Sequence, residues 1–310
     1  MNCKVSIVVP CFNEEDALPY FYEEATKIMQ GLDCTYELYL VDDGSKDGTL
    51  EIMRRLAKED SHVQYISFSR NFGKEAAMYA GLQASHGDYV CVADADMQDP
   101  PSLIPQMLAD LESGEWDCVA SRRKTRAGEP PIRSFFARRF YGLINSISST
   151  QIVEAARDFR LMRREMVDAV LSMSEYNRFS KGLFSWVGFR TKWLEYDNIE
   201  RVAGQTKWSF WKLFKYALEG IMAFSTAPLA LALFCSAGML LAAVIMFICC
   251  LAVKTSPAWL PLGTLVVFIG GINAGLIGIL SLYSSKTYLE TKNRPIYIAA
   301  ERSDRKKENE

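Results

Sequence analysis

The first 110 or so residues repeat one local pattern four times, and this repetition restricts the fold more than any other feature of the chain. In each repeat an apolar, often β-branched run ends in a polar loop, and a helical pattern follows the loop. The four runs cover residues 5–10, 36–41, 63–68 and 87–93. Strands and helices that alternate in this way predict a parallel, doubly wound sheet whose polar loops share one edge.

The polar loop after the fourth run carries Asp94 and Asp96, with Gln98 close behind. A buried parallel strand that ends in acidic residues places them at the carboxyl edge of the sheet, where open α/β folds bind ligands. Two carboxylates at this spacing can turn toward one hard cation such as Mg²⁺ or Mn²⁺, which prefers oxygen ligands and often carries substrate phosphates. An ordinary solvated strand end has the same pattern. The similar loops of the other repeats favour a site for a diphosphate.

Taken together, the four polar loops resemble those of a known family. The resemblance rests on the segments VVPCFNEE, LVDDGSKDGT, RNFGKEAA and DADMQDPP. In order and spacing they are similar to the motifs of glycosyltransferase family 2, specifically the polyprenyl-phosphate glycosyltransferases. The resemblance implies a GT-A (Rossmann-like) fold, a nucleotide-diphospho-sugar donor and a divalent cation, Mg²⁺ or Mn²⁺. The chain has neither a GxGxxG segment after the first run nor a GxxxxGK[ST] loop, which argues against other common phosphate-binding folds.

We expect the donor to bind along the first two loops and beside the fourth. Polar and acidic side chains at strand ends can accept hydrogen bonds from ribose hydroxyls and base N–H groups. The expected donor-binding residues are Pro10, Asn13, Glu14, Asp42, Asp43, Lys74, Asp94 and Ala95. The expected metal ligands are Asp94, Asp96 and Gln98. A plain turn is the alternative interpretation of Asp43 and Gly44.

The resemblance implies a polyprenyl phosphate as the acceptor of the sugar. We expect its phosphate to bind the basic residues that follow a fifth strand-like run at 117–120. A basic run by itself is usually a solvated surface. The family resemblance assigns phosphate binding to Arg122, Arg133 and Arg201, and the loop that holds Arg201 and Lys207 also fits the family. The absence of a QxxRW motif favours the polyprenyl-phosphate branch over processive polysaccharide synthases.

The resemblance also places Asp158 near the acceptor phosphate, so the expected catalytic residues are Asp96, Asp158, Arg122 and Arg201. Asp158 precedes a helical run, where an aspartate is commonly a cap or a first-turn residue. A general base at this position would have to take a proton from a phosphate that mostly carries none. A positioning role for Asp158 is therefore favoured over proton abstraction, and both stay open.

The C-terminal third of the chain predicts membrane attachment. No charged residue lies between Glu219 and Lys254 or between Lys254 and Lys286, and about 20 apolar residues suffice for a helix to cross a bilayer. We predict spans at 228–253 and 259–283, with a pair of buried core helices as the alternative. Residues 207–226 predict an amphipathic interfacial helix, because Trp211 and Phe214 share one face with further apolar residues.

These predictions define four regions and an orientation. They are a cytoplasmic GT-A domain at 1–206, the interfacial helix at 207–226, two transmembrane helices at 227–285 and a cytoplasmic tail at 286–310. Lysines and arginines on the outer flanks place the catalytic domain and both termini in the cytoplasm of a bacterial inner membrane. The eight cysteines form no CxxC motif, which predicts reduced thiols.

The predicted function is transfer of a sugar, glucose or an N-acetylhexosamine, from a UDP-sugar to undecaprenyl phosphate, with inversion. Two alternatives stay open: a mannosyltransferase that uses GDP-mannose and a polyprenyl or dolichyl phosphate, and an inactive nucleotide-sugar-binding membrane scaffold. The near-neutral net charge of −2 argues against a nucleic acid partner. Homo-oligomerisation and the identity of the sugar are left open.

Overall fold

The computed structural model describes residues 3–124, 142, 153, 156–173, 175–176, 178–197, 234, 237–239, 241–242, 244–245, 248 and 259–303. The strands are β1 (Cys3–Cys11), β2 (Cys34–Asp42), β3 (Val63–Phe68), β4 (Tyr89–Val92), β5 (Cys118–Arg123), β6 (Ala156–Arg163), β7 (Thr191–Tyr196) and β8 (Ala299–Arg302). The helices are α1 (Leu18–Gln30), α2 (Thr49–Glu59), α3 (Lys74–Ala84), α4 (Ile104–Glu112), α5 (Arg164–Ser172), α6 (Ser180–Trp186) and α7 (Trp259–Thr291), with a 3₁₀ turn at Pro101–Leu103 before α4.

The described strands form one mostly parallel sheet in the order β7-β5-β6-β4-β1-β2-β3-β8. Strands β1 to β4 are parallel to one another, as the repeated sequence pattern predicts. Strand β6 runs antiparallel to its neighbours β4 and β5, and β7 runs parallel to β5. The α/β fold with a mostly parallel sheet is therefore confirmed.

Helices cover both faces of the sheet, because successive side chains of a strand point to opposite faces. In β1, Val5, Ile7 and Val9 pack in one buried cluster with residues of α1, α2 and α4. Val8 packs on the other face with residues of α3, α5 and α6. This double cover explains why the central strands are continuous apolar runs, and it fixes the polar loops at the sheet edge.

Helix α7 is the membrane-spanning candidate. Its segment Pro261–Thr291 is the one helix in the described part of the chain that is long and apolar enough to cross a membrane. Large apolar side chains such as Leu262, Phe268 and Leu280 are exposed on it. The helix contains the second predicted span and continues past it. The interfacial helix predicted at 207–226 lies outside the described residues, as does the first span at 228–253 except for isolated positions.

After α7 the chain returns to the sheet, which the sequence does not indicate. Strand β8 pairs antiparallel with β3, with Arg302 opposite Ile66 and Glu301 opposite Ser67. Strand β8 has only four residues, two of them charged, and is too short to show a period-two pattern in the sequence. The predicted tail at 286–310 is thereby refined, because its first residues belong to α7 and Ala299–Arg302 belong to the sheet.

Cysteine pairing departs from the prediction of reduced thiols. Cys3 and Cys34 form a disulfide between β1 and β2, where the parallel register places them side by side. Their sequence separation of 31 residues gives no sign of this contact. The prediction of reduced thiols is wrong for this pair, whereas Cys11, Cys91 and Cys118 are free and buried.

Candidate active site

The carboxyl ends of β1 to β4 and the amino end of β6 meet at one edge of the sheet. Because β6 runs antiparallel to β4, Val92 at the end of β4 pairs with Arg160 near the start of β6. The residues just beyond this pair, Asp94 and Asp158, therefore lie next to each other. Two carboxylates from distant parts of the chain are thus brought together by strand register.

Lys74, the first residue of α3, joins these two carboxylates. Its Nζ atom lies 2.7 Å from Asp94 Oδ1 and 2.6 Å from Asp158 Oδ2. The lysine side chain is 38% exposed, while those of Asp94 and Asp158 are 19% and 17% exposed. The ammonium group thereby offsets the repulsion between two acids that are largely shielded from water.

The ion pairs shift the pKa values of Lys74 and Asp158 in opposite directions. Burial alone would lower the pKa of Lys74, but Asp158 and Asp94 raise it well above its usual range. Burial alone would raise the pKa of Asp158, but the charges of Lys74 and Lys181 hold it well below its usual range. A carboxylate with a low pKa is a weak base. The geometry thus favours Asp158 as an ionised partner of Lys74 rather than as a proton acceptor.

The loop after β4 folds back tightly around Asp96. Asp96 is buried, and its Oδ1 accepts a hydrogen bond from the backbone N–H of Gln98 at 3.1 Å. Met97 between them has φ of 59°, a left-handed conformation that a bulky side chain seldom adopts. Ala95 is buried as well. Backbone strain at this position is consistent with a loop held in one shape for a ligand.

The oxygen ligands in this loop suit a divalent cation that binds together with a phosphate-containing substrate. Within the described residues no group of three or more His, Cys, Asp or Glu side chains could hold a metal ion. Asp94 and Asp96 nevertheless supply hard oxygen atoms, and Mg²⁺ is commonly held by one or two carboxylates together with water and substrate phosphates. The two aspartates fit such a cation when a diphosphate provides the remaining ligands.

A buried ion pair anchors the far end of the same loop. Arg157 of β6 donates to Asp99 through Nε at 3.0 Å and Nη2 at 3.1 Å, and the Tyr196 hydroxyl donates to the same carboxylate. The Asp99 side chain is fully buried, and the same Nη2 atom lies 3.9 Å from Asp94 Oδ2. We call Arg157, Asp99 and Tyr196 the loop clamp. The sequence offers only weak signals for it, since Asp99 ends the acidic motif and Arg157 precedes Asp158.

The first two loops are joined by hydrogen bonds between side chains and backbone. Asn13, at φ of 54°, donates its backbone N–H to Ser45 Oγ at 2.9 Å and accepts from the backbone N–H of Lys46 at 2.8 Å. The backbone N–H of Glu14 donates to Thr49 Oγ1 at 2.9 Å. Pro10 lies near the end of β1 and pairs in register with Val41. The predicted donor residues of these loops therefore form one continuous edge.

Asp42 and Asp43 are at the predicted edge, but their carboxylates bind within the protein. Asp42 accepts from the backbone N–H of Ser45 at 2.9 Å and from Ser67 Oγ at 2.7 Å. Asp43 accepts from the backbone N–H groups of Phe72 and Gly73 at 2.6 and 2.9 Å. Burial raises the pKa of Asp43 to about 6 against the opposing effect of these amides. Both residues shape the neighbouring loops, and their contact with the donor stays a prediction.

Of the basic residues predicted to bind the acceptor phosphate, the structure describes Arg122 alone. Its Nη2 lies 2.5 Å from Glu195 Oε1, and both side chains are 40% or more exposed. Arg133, Arg201 and Lys207 lie outside the described residues. The predicted acceptor site is therefore represented here by Arg122 and Asp158.

Comparison with known proteins shows the family to which the chain belongs. Residues 6–171, more than half of the chain, match the profile of glycosyl transferase family 2. The chain is 40% identical over 310 residues to a prophage bactoprenol glucosyl transferase homolog of Escherichia coli K12, covering 95% of this chain and 98% of that protein. It is 41% identical over 310 residues to the bactoprenol glucosyl transferase of Shigella phage SfII, covering 95% of this chain and 97% of that protein.

Among solved structures, the fold resembles mannosyl-3-phosphoglycerate synthase from Rubrobacter xylanophilus. The TM-score is 0.51 at 19% sequence identity, and the match covers 71% of this chain and 72% of that one. At this identity the likeness supports the GT-A-like fold alone.

The loop clamp leads to a stability prediction. Asp99→Asn should lower the free energy of unfolding by about 3 kcal/mol, because it leaves the guanidinium of Arg157 beside a neutral group in a buried position. Tyr196→Phe should cost about 1 kcal/mol, the usual contribution of one hydrogen bond. Denaturant unfolding in detergent, followed by tryptophan fluorescence, measures both effects.

Asp117→Asn is the matched control for this experiment. Asp117 accepts a similar two-pronged bond from Arg190, with Nε and Nη2 both at 3.1 Å, but the arginine side chain is 60% exposed. Loss of this exposed ion pair in Asp117→Asn should change the free energy of unfolding little. Equal losses in Asp99→Asn and Asp117→Asn would contradict the assignment of a buried clamp.

Proposed function

Because the chain belongs to glycosyltransferase family 2, we propose that it transfers glucose or an N-acetylhexosamine from a UDP-sugar to undecaprenyl phosphate. The observation that carries this proposal is the edge of the sheet at which Lys74 joins Asp94 to Asp158, with Asp96 two residues beyond Asp94 in the same loop. The bactoprenol glucosyl transferases that match nearly the whole chain support a lipid-linked acceptor and favour glucose. The product is a lipid-linked monosaccharide for modification of the cell envelope.

The acceptor requires a membrane, and helix α7 supports this part of the proposal. Its segment Pro261–Thr291 is sufficient in length and composition for one crossing. We propose that a second crossing lies at 228–253, that 207–226 forms an interfacial helix, and that the catalytic domain and both termini are cytoplasmic. This arrangement brings the sheet edge to the leaflet in which the acceptor phosphate lies.

The donor is proposed to lie across the loops after β1, β2 and β4. Pro10, Asn13, Glu14, Asp42 and Asp43 frame the base and ribose, and Lys74, Asp94 and Ala95 face the diphosphate and the sugar. Asp94 and Asp96, with Gln98 beside them, would hold the divalent cation. When bound, the cation neutralises negative charge on the leaving nucleoside diphosphate.

The proposed reaction is a single displacement with inversion. A phosphate oxygen of the acceptor attacks the anomeric carbon, the bond from that carbon to the donor diphosphate breaks, and UDP leaves with the bonding electrons. A phosphate monoester with a second pKa of about 6 is largely dianionic at neutral pH, so that the nucleophile needs little deprotonation. Positioning and charge neutralisation therefore supply most of the rate.

The protein residues hold charge in place during this displacement. Asp158, ionised and bound to Lys74, keeps the ammonium group between the donor and acceptor sides of the site. Arg122 is proposed to exchange its exposed contact with Glu195 for the acceptor phosphate, a small loss because exposed ion pairs contribute little. Arg133, Arg201 and Lys207 complete the proposed phosphate site.

A panel of nucleotide sugars tests the substrate assignment. Membranes containing the protein are incubated with undecaprenyl phosphate and radiolabelled UDP-glucose, UDP-N-acetylglucosamine or GDP-mannose, and the lipid fraction is counted. Label from a UDP-sugar should enter the lipid fraction. Label from GDP-mannose alone would replace the proposal with the mannosyltransferase alternative, and binding without transfer of any label would favour a scaffold.

Removal of one metal ligand should abolish transfer without unfolding the protein. In Asp96→Asn the amide oxygen can still accept the hydrogen bond from Gln98, but a carboxylate is lost from a hard-cation site. We expect transfer to fall by roughly a hundredfold or more and the affinity for Mn²⁺ in the presence of UDP to fall in a calorimetric titration. EDTA should abolish wild-type activity, and added Mg²⁺ or Mn²⁺ should restore it.

Asp110→Asn is the control for this substitution. Asp110 is a partly buried aspartate of α4 that pairs with Lys192 of β7, and it lies outside the proposed site. It should retain both activity and metal affinity. Full wild-type activity in EDTA would refute the assignment of the cation.

The pH dependence of transfer distinguishes the two roles of Asp158. Its low pKa keeps it ionised throughout the assay range, so the fall in rate below a pH of about 6 should come from protonation of the acceptor phosphate. Asp158→Asn should therefore lower kcat strongly and leave the shape of the profile unchanged. Loss of the acidic limb in the variant would identify Asp158 as the base instead.

A further inference from the structure

The segment that follows α7 packs against the loop that directly precedes Lys74. We call residues 292–303 the C-terminal strap; it consists of the turn after α7 and strand β8. Strand β8 extends the sheet beyond β3, and because it runs antiparallel it enters at the carboxyl end of β3. The strap therefore reaches the sheet at the same edge as the proposed donor site.

Strand β8 is tied to the catalytic domain by side chains as well as by the sheet. Glu301 lies 2.5 Å from Arg54 of α2, and it accepts a hydrogen bond from the Tyr65 hydroxyl of β3. Ser303 Oγ accepts from the backbone N–H of Tyr65 at 2.8 Å. These bonds fix one end of the strap on the domain.

The other end of the strap contacts the loop between β3 and α3, residues 69–73, near both ends of the loop. The backbone N–H of Ser69 donates to the Ile298 carbonyl at 3.0 Å. Tyr297 stacks on Phe68 with ring centroids 4.8 Å apart, and Phe68 meets the edge of Phe72 at 5.7 Å. Together with Ile296 these rings join the buried cluster on this side of the sheet.

Tyr297 also forms a polar link from the strap to α3. Its hydroxyl donates to Gln83 Oε1 at 3.0 Å and accepts from Arg302 at 2.6 Å. A cavity of about 540 Å³ lies beside this link, between α3 and the strap, with Tyr79 on one wall and Arg294 on the other. Tyr297 thus adds a polar contact to the packing of Ile296 and Ala299 against the buried cluster that includes three alanines of α3.

The loop at 69–73 is held on its opposite side by Asp43, which lies at the proposed donor site. Asp43 accepts from the backbone N–H groups of Phe72 and Gly73, and Lys74 follows directly. Gly73 has φ of 99°, so the chain turns sharply at this point into α3. The loop is thus clamped between Asp43 and the aromatic residues beneath the strap, and its position determines where the ammonium group of Lys74 lies.

We propose that Tyr297 is a positioning residue for sugar transfer: through Phe68 and Phe72 it holds the loop at 69–73 so that Lys74 stays between Asp94 and Asp158. This inference rests on the proposed function for its kinetic consequence. Its structural consequence is that the proposed donor site is connected to helix α7 through the strap, which begins directly after Thr291.

The test compares Tyr297→Ala with Tyr297→Phe in the full-length protein in nanodiscs. The alanine variant loses both the ring contacts and the hydroxyl, whereas phenylalanine keeps the ring on Phe68. We expect Tyr297→Ala to raise the KM for the UDP-sugar roughly tenfold, with little change in the KM for undecaprenyl phosphate. Tyr297→Phe should stay within about threefold of wild type, since only the hydroxyl contacts are lost. Tyr20→Ala, at an exposed tyrosine of α1, is the control and should match wild type.

Hydrogen exchange provides a readout that needs no substrate. In Tyr297→Ala the amides of Ser69, Phe72 and Gly73 should exchange roughly tenfold faster, because the loop opens locally more often, while peptides from β1 and β4 keep their wild-type rates. Unchanged exchange at 69–73 would overturn the inference whatever the activity. If wild type transfers no sugar, the proposed function fails, and exchange at the loop still decides whether the strap holds it.

Two kinetic results would also overturn the positioning role. One is faster exchange in Tyr297→Ala with unchanged KM and kcat, which would make the strap a stabilising contact with no bearing on transfer. The other is an equal loss for donor and acceptor together with faster exchange across the whole sheet, which would indicate general unfolding.

Discussion

The ion pairs that Lys74 makes with Asp94 and Asp158 are the interaction on which the rest of this site depends. A parallel sheet directs the polar ends of its strands toward one edge, and in this chain those ends are rich in carboxylates. Shielded acids at such close range would repel each other and take up protons. Against the effect of burial, the ammonium group of Lys74 holds the pKa of Asp158 well below its usual range, and it pairs with both carboxylates, so that the two acids can lie side by side at this edge.

The supports around Lys74 come from parts of the chain that are far apart in sequence. The loop clamp fixes the end of the acidic loop through Arg157 and Asp99. Asp43 fixes the loop before α3 through backbone amides, and the C-terminal strap contacts Phe68 at the start of that loop through Tyr297. The geometry of the site therefore depends on strand order and register as much as on the motifs themselves.

The sequence predicts the parallel half of the fold well, because β1 to β4 each carry a local pattern of apolar run, polar loop and helix. It also predicts that Asp94 and Asp96 lie at the carboxyl edge. It cannot predict the contact of Lys74 with Asp158, which are 84 residues apart, because that contact depends on the antiparallel register of β6. Strand β8 and the loop clamp escape prediction for a related reason, since each depends on tertiary contacts that leave no periodic pattern.

The balance of charge at this edge also restricts how a donor could enter. Asp94, Asp96 and Asp158 face the site from the acidic side, and Lys74 and Arg157 already pair with Asp94, Asp158 and Asp99. An anionic diphosphate that approached alone would meet a surface with few uncommitted cations among the described residues. A diphosphate that arrives with a divalent cation brings the missing positive charge with it, and hard oxygen ligands from Asp94 and Asp96 suit that cation. Under the proposed function, the lysine and arginine residues that position the acidic loop would therefore also favour a donor that arrives with a metal ion.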